Sequence, residues 1–341
     1  MKRKLTFGAL FMCLVMLITS VGCANTNYVA KVNGEEIPWQ DQVFYLMKYK
    51  NQAQGTAGED VNISSVWDMK VSEDEDAKTY AQTINEAGLD YCVNNLLVEQ
   101  KLKEYGIYEN TAQEQEQMDA ALASLIEQSG GKEKVEASLK VFGLSMDDFN
   151  RAYQYTVNYA KLVRFIYGKD GIEAIDESAV TAYFSENYVR VKHILIQVEE
   201  DADDQTKAAA KQKAEDLLAS VKGGADFDAL MAQESQDPGS ATNPDGYIFT
   251  AAASYVQPFK EAAFDMEVGE YRLVESSYGW HIMKKCDLFE KAAFLDTYRD
   301  SIVEAMSAED MQKSLDSWKA EAAIEYNDKA IEKYSIKNIG E

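Results

Sequence analysis

The stretch VRVKHILIQ, from Val189 to Gln197, decides how the chain is read. Its β-branched and aliphatic residues form a strand pattern, and side chains along a strand alternate between two faces. His193 therefore shares a face with Val191 and Leu195, while Ile194 and Ile196 point the other way. The 341-residue chain has only two histidines, and the second, His281, lies in a similar run, YGWHIMK. There it shares a face with Gly279 and Met283. A single histidine on an apolar strand is most often a core residue whose nitrogens have found partners. Two of them, in the first and last strands of one segment, point to something more specific. Antiparallel neighbours in one sheet bring such rings within hydrogen-bonding reach.

The texture around these strands sets the domain order. VRVKHILIQVEE is followed by a helix, DDQTKAAAKQKAEDLLASVKGG, and a shorter one, ADFDALMAQES. A Pro/Gly loop, DPGSATNPDGY, comes next. The helix QPFKEAAFDME and the strand material EYRLVESSYGWHIMKKC complete a compact α+β unit over residues 188–287. The preceding part, residues 23–187, is mainly helical. YVAKVNGEEIP reads as a hairpin turning at Asn33-Gly34. Helical periodicity follows, with Pro38 opening the first helix and a capping box at Ser145 and Asp148 opening a later one. From Ala292 the chain returns to helix, so residues 288–341 are expected to pack back on the N-terminal helices and complete one core. The fold class expected is thus α+β, a small mixed unit inserted in a helical lobe.

The N-terminus reads as an export signal. MKRK is a basic start, and LTFGALFMCLVMLITSVG is an apolar run ending at Cys23. Gly22 before Cys23 looks like a lipobox, although Ser20 stands where Leu is usual. Residues 1–22 are expected to be removed and Cys23 to carry a diacylglycerol; an ordinary signal cut nearby, or an uncleaved anchor, is the plainer alternative. Two acyl chains anchor firmly where one is marginal. No later stretch is long and apolar enough to span a bilayer. The expected location is the extracytoplasmic face of a cell membrane.

Composition narrows the partners. Asp and Glu number 58 against 34 Lys and Arg, which argues against nucleic acid, since that needs a basic surface. Cys92 and Cys286 lack metal-ligand spacing and fall in different lobes, so neither a metal site nor a disulfide framework is expected.

The segment around the histidines resembles the parvulin-type peptidyl-prolyl isomerases. A family strand of type H-I-L is matched by His193-Ile194-Leu195. GGADFDALMAQES matches its G-x-x-F segment, and Ser235-Gln236-Asp237-Pro238-Gly239-Ser240 its S-x-D-P-G-S loop. Pro258 to Phe264 matches P-F-x-x-A-x-F, Gly269-Glu270 follows, and Val274 to Ile282 matches the closing strand pair. With the lipobox, the V-N-G-E hairpin and the helical flanks, the whole chain is similar to the PrsA-type foldase lipoproteins, relatives of the SurA chaperones.

That resemblance implies a site. His193 and His281 take the paired-histidine positions, Asp237 that of the family's Asp or Cys, and Ser276 that of its Ser or Thr. Phe259 is implied as the floor of a proline pocket, Tyr255 stands where Met is usual, and Phe249 lies near the same pocket. The family's G-G-D-L-G is replaced by Pro244-Asp245-Gly246-Tyr247-Ile248, so the usual pocket Leu is missing. No cofactor and no metal are implied. The partners implied are newly exported, unfolded polypeptides with X–Pro bonds and the membrane through the lipid; a homodimer stays open. Phospho-specific parvulins carry basic residues just after the first strand. Here Val198-Glu199-Glu200-Asp201-Ala202-Asp203-Asp204 is acidic, and beside the site it would repel a phosphate. The expected function is a membrane-anchored prolyl isomerase. The alternative is a chaperone lipoprotein whose parvulin unit is weakly active or inactive.

Overall fold

The computed structural model describes residues 25–57, 63–199 and 201–340. The export signal and Cys23 lie outside them. The chain divides into two compact units, one running to Val157 and resuming at Leu315, the other from Asn158 to Ser314.

The first unit begins with a hairpin, β1 (Tyr28–Val32) and β2 (Glu35–Pro38). Asn33 and Gly34 both have positive φ, 53° and 87°, as a type I′ turn requires. Helices α1 (Trp39–Ala57), α2 (Tyr80–Glu104), α3 (Ala112–Gln128) and α4 (Lys132–Val141) follow, then α5 (Met146–Tyr167), which enters the second unit. Their starts are chemically marked. Thr79 with Gln82 and Thr111 with Glu114 form capping boxes, and Ser145 exchanges hydrogen bonds with Asp148 at the head of α5. The end of the chain contributes to this unit. Strand β7 (Ile324–Tyr326) pairs antiparallel with β1, giving the sheet order β2-β1-β7. Beyond it, Ile336 and Ile339 share a core with Val43 and Leu46, and Tyr334 stacks on Trp39 at 4.4 Å.

The second unit holds a four-stranded antiparallel sheet. Its strands are β3 (Tyr188–Gln197), β4 (Tyr247–Thr250), β5 (Tyr271–Ser276) and β6 (Gly279–Cys286), in the order β4-β3-β6-β5. All but the last residue of β3 is buried, because both sheet faces are covered. Ile194, Ile196 and Ile282 pack against helices α7 (Asp204–Lys222) and α8 (Phe227–Glu234). Val189, Val191 and Met283 pack on the other side, against α9 (Gln257–Asp265). Two charges on β3, Arg190 and Lys192, are therefore buried and paired, with Glu290 at 2.6 Å and Asp228 at 2.8 Å.

The unit extends past 188–287 on both sides. Helix α6 (Glu177–Asn187) and the first part of α10 (Ala292–Glu321) belong to it. Phe184 of α6 and Tyr298 of α10 pack with Tyr188 at the start of β3, and Tyr298 donates to the Ile248 carbonyl at 3.0 Å. The α+β class expected from the sequence is the class observed. Strand β4 is the element the sequence did not mark: it has four residues, too few for a periodic pattern, and follows a Pro/Gly loop.

Candidate functional site: a histidine pair above an aromatic pocket

The register of β3 on β6 positions both histidines. Leu195 faces His281 and His193 faces Met283, so the two rings are diagonal neighbours on the face toward α9. Their Nδ1 atoms lie 3.0 Å apart, and both residues are buried, at 7% and 4% exposure. His193 Nε2 lies 3.1 Å from Asp237 Oδ2, and His281 Nε2 lies 2.7 Å from Ser276 Oγ at the end of β5. Ser276 Oγ also accepts the Tyr278 N–H at 3.1 Å.

Asp237 is held by a loop that takes over where β4 stops. β4 pairs with β3 only as far as Val191. Beyond that point the loop satisfies the free edge of β3. The Leu195 N–H donates to Ser235 Oγ at 3.2 Å, the Gln236 N–H to the Leu195 carbonyl at 2.9 Å, and the Gln197 N–H to Gln236 Oε1 at 2.7 Å. The loop is thereby zipped to the strand that carries His193, and a buried backbone edge needs such partners.

The carboxylate accepts three further or shared bonds: His193 and the Tyr247 hydroxyl, at 2.5 Å, on Oδ2, and the Gly239 N–H, at 3.1 Å, on Oδ1. These hold the Asp237 carboxyl well below the usual carboxylate range, the His193 bond foremost, against the opposing cost of partial burial. His281 is pushed down to about 4, chiefly by burial and then by the neighbouring His193, with Asp237 pulling the other way.

With both rings neutral the relay runs in a single direction. Asp237, ionised, can only accept, so His193 Nε2 carries a proton toward it. The Nδ1 of neutral His193 then accepts, and His281 Nδ1–H donates to it. His281 Nε2 is left as an acceptor for the Ser276 hydroxyl. Every polar atom of the relay has a partner with both rings neutral, which is the condition for burying them at low cost.

In front of the relay is a cavity of about 740 Å³ lined by His193, His281, Asp237, Tyr247, Tyr255, Phe259 and Tyr278, among others. Phe259 of α9 is its floor. Both histidine rings stand edge-on to it, at 5.1 and 5.3 Å, a favoured aromatic arrangement. Tyr255 is 38% exposed and forms a wall, 5.6 Å from Phe259.

The sequence-derived residues are thus distributed as follows. His193, Asp237, Ser276 and His281 come together in one hydrogen-bonded chain, and Tyr255 and Phe259 line the cavity. Phe249, on β4, does not line it. It is 5% exposed and backs the wall, 4.6 Å from Tyr255 and 6.0 Å from Phe259. No described residue of the acidic run after β3 reaches the cavity either. Val198 and Glu199 line a separate cleft with Lys207, Lys211 and Trp280, because β3 carries them past its pairing with Gly279. Tyr247 is the site residue that sequence reasoning misses: the replacement of the usual pocket Leu is its signal, and by itself that replacement indicates only a lost apolar contact.

Residues 179–288 match the family described as the PPIC-type PPIASE domain, and this part of the chain is a parvulin-type peptidyl-prolyl isomerase domain. Over a longer stretch the chain is similar to PrsA foldases. It is 26% identical over 241 residues to the foldase protein PrsA of Staphylococcus aureus, covering 69% of this chain and 71% of that protein. Among solved structures it is similar to PrsA from Streptococcus pneumoniae, with 20% identity, TM-score 0.40 and coverage of 76% of this chain and 96% of that one. PrsA from Bacillus subtilis also matches, with 20% identity, TM-score 0.37 and coverage of 78% and 97%. Among the described residues no helix is long and apolar enough to cross a membrane.

Proposed function

We propose that the chain is a lipid-anchored foldase that isomerises X–Pro bonds of newly exported polypeptides on the extracytoplasmic face of a membrane. His193, Asp237, Ser276 and His281 form its catalytic constellation, and Tyr255 and Phe259, backed by Phe249, hold the proline. The observation that carries this reading is the unbroken relay Asp237–His193–His281–Ser276 facing an aromatic-floored cavity.

Rotation about an X–Pro bond meets a barrier of ~18–20 kcal/mol set by amide resonance. No bond is made or broken, so no nucleophile is required. The pocket takes the prolyl ring against Phe259 and removes water from the amide. The twisted amide has a more basic nitrogen and a more ketone-like carbonyl than the planar one. Fixed dipoles that suit that redistribution lower the barrier. The relay supplies them: the Asp237 carboxylate is the charged group of the cavity, and the histidines fix its place and polarity.

The mainly helical first unit, which runs to Val157 and resumes at Leu315, is assigned to holding unfolded chains. The name of the S. aureus relative supports foldase activity. Anchoring rests on the basic start, the apolar run and Cys23. The decisive experiment measures isomerisation of an X–Pro peptide without a coupled protease. His193→Ala and His281→Ala should each lower kcat/KM at least tenfold and cost about 1–3 kcal/mol of stability through the stranded partner. Wild-type turnover in both variants refutes the site. Separately, Cys23→Ala should release the protein from the membrane fraction.

A further inference from the structure

We infer that Tyr247 is a positioning residue that weakens the pull of Asp237 on the histidine pair by sharing its carboxylate; the inference rests on the catalytic reading of Asp237 and His193. Tyr247 opens β4 opposite Val191, on the strand that carries His193. Its ring lies 5.5 Å from that of His193. Its hydroxyl donates to Asp237 Oδ2 at 2.5 Å, the same oxygen that meets His193 Nε2 at 3.1 Å. The two donors compete for one oxygen, and the phenol is the nearer.

The surroundings are shaped for that phenol. A Cβ at Gly239 would lie 2.4 Å from the Tyr247 hydroxyl, so any larger residue there would displace the phenol from its place beside Asp237. The Gly239 N–H at the same time donates to the other carboxylate oxygen. On its far side the Tyr247 ring meets Tyr255 edge-on at 6.1 Å.

The consequence is electrostatic. A carboxylate whose charge is offset by one imidazole alone favours the imidazolium. A second strong donor on the same oxygen weakens that pull. A protonated His193 would have to donate from both nitrogens, which reverses the His193–His281 bond and turns His281 Nε2 into a donor toward Ser276. Tyr247 thus protects the polarity of the relay as well as lining the pocket. Among the described residues, the charged and titratable groups facing the pair are Asp237 from the loop, Tyr247 from β4, Tyr255 from before α9 and Tyr278 from the β5–β6 turn. β5 adds Ser276, and α9 adds only the apolar Phe259. The phenol on Asp237 is the one among them that can change the pull on His193 without removing the carboxylate.

The test is the full chain labelled with ¹⁵N-histidine, whose two histidines give unambiguous signals. Wild type and Tyr247→Phe are titrated alongside kcat/KM pH profiles. The expected result is a rise in the pair's protonation midpoint of about half to one pH unit, as befits loss of one charge-assisted hydrogen bond shared between two donors. The acid limb of kcat/KM should move with it, with the loss falling on kcat and KM little changed because the ring remains. A folded Tyr247→Phe whose midpoint does not move overturns the inference, as a purely structural tyrosine would leave the midpoint alone. Should Phe unfold the chain, Tyr247→Leu restores the side chain usual at this position and reads the same shift. Unchanged turnover in His193→Ala defeats the catalytic reading instead, and leaves the midpoint comparison standing on its own.

Discussion

Acid should open the parvulin unit through His281. Its folded midpoint is pushed down to about 4, whereas a free imidazole titrates near 6.5. A group with a depressed folded pKa contributes stability that is fully present above the unfolded value and lost as pH falls toward the folded one. Between those limits the unfolded chain binds the extra proton and the native chain does not. Integrating that linkage from pH 7.5 to 4.5 gives a loss of about 2–3 kcal/mol, on the order of a hundredfold in the open population. Asp237 adds little in this window, because its unfolded form titrates near 3.8 and its folded form lower still. The assay is hydrogen–deuterium exchange resolved over β3 and β6, which reads the opening of this unit rather than of the whole chain. His281→Gln keeps a hydrogen-bonding side chain that does not titrate, so its protection should fall far less over the same range. If wild type and His281→Gln lose protection in parallel, the burial of a neutral His281 is not what the pH acts on, and the argument fails.

Phe259→Ala should cost about 3–5 kcal/mol, since the ring is 3% exposed and supports both histidines; urea melts check this, and KM should rise in any folded fraction. In a matched X–Pro series, Lys-Pro and neutral peptides should turn over somewhat faster than Glu-Pro or phosphoserine-Pro at low salt. Asp237 is the charged carboxylate lining the cavity and no lysine or arginine offsets it among the described lining residues. The difference should fade as salt rises, with screening over ~8 Å at physiological strength, and faster phosphoserine-Pro turnover contradicts it. Truncation before Ile324 should strip exchange protection from β1 and α1 but not from β3 or β6. It removes β7, Tyr334, Ile336 and Ile339 from the first unit alone. Retained protection in β1 would show that the unit is complete without the chain's end.

Much of this was legible in the sequence because it is local. Asn33-Gly34 announces a type I′ turn, since those residues tolerate positive φ. Ser145 with Asp148 announces a helix start, since a side chain three residues on can reach the free backbone N–H. The period of two along VRVKHILIQ and YGWHIMK put each histidine on a definite face. Which rungs of β3 and β6 oppose one another is another matter. The ladder between strands some ninety residues apart fixed Leu195 against His281, and only that register brings the Nδ1 atoms to 3.0 Å. Coverage of both sheet faces buries Arg190 and Lys192 and makes their carboxylate partners necessary. The path of the 235–246 loop brought the Tyr247 hydroxyl to Asp237, left Phe249 behind the pocket wall and β4 beside β3. A strand's alternation encodes which way a side chain faces, but not what faces it. That depends on hydrogen bonds and packing between segments distant in the chain, which no local pattern carries.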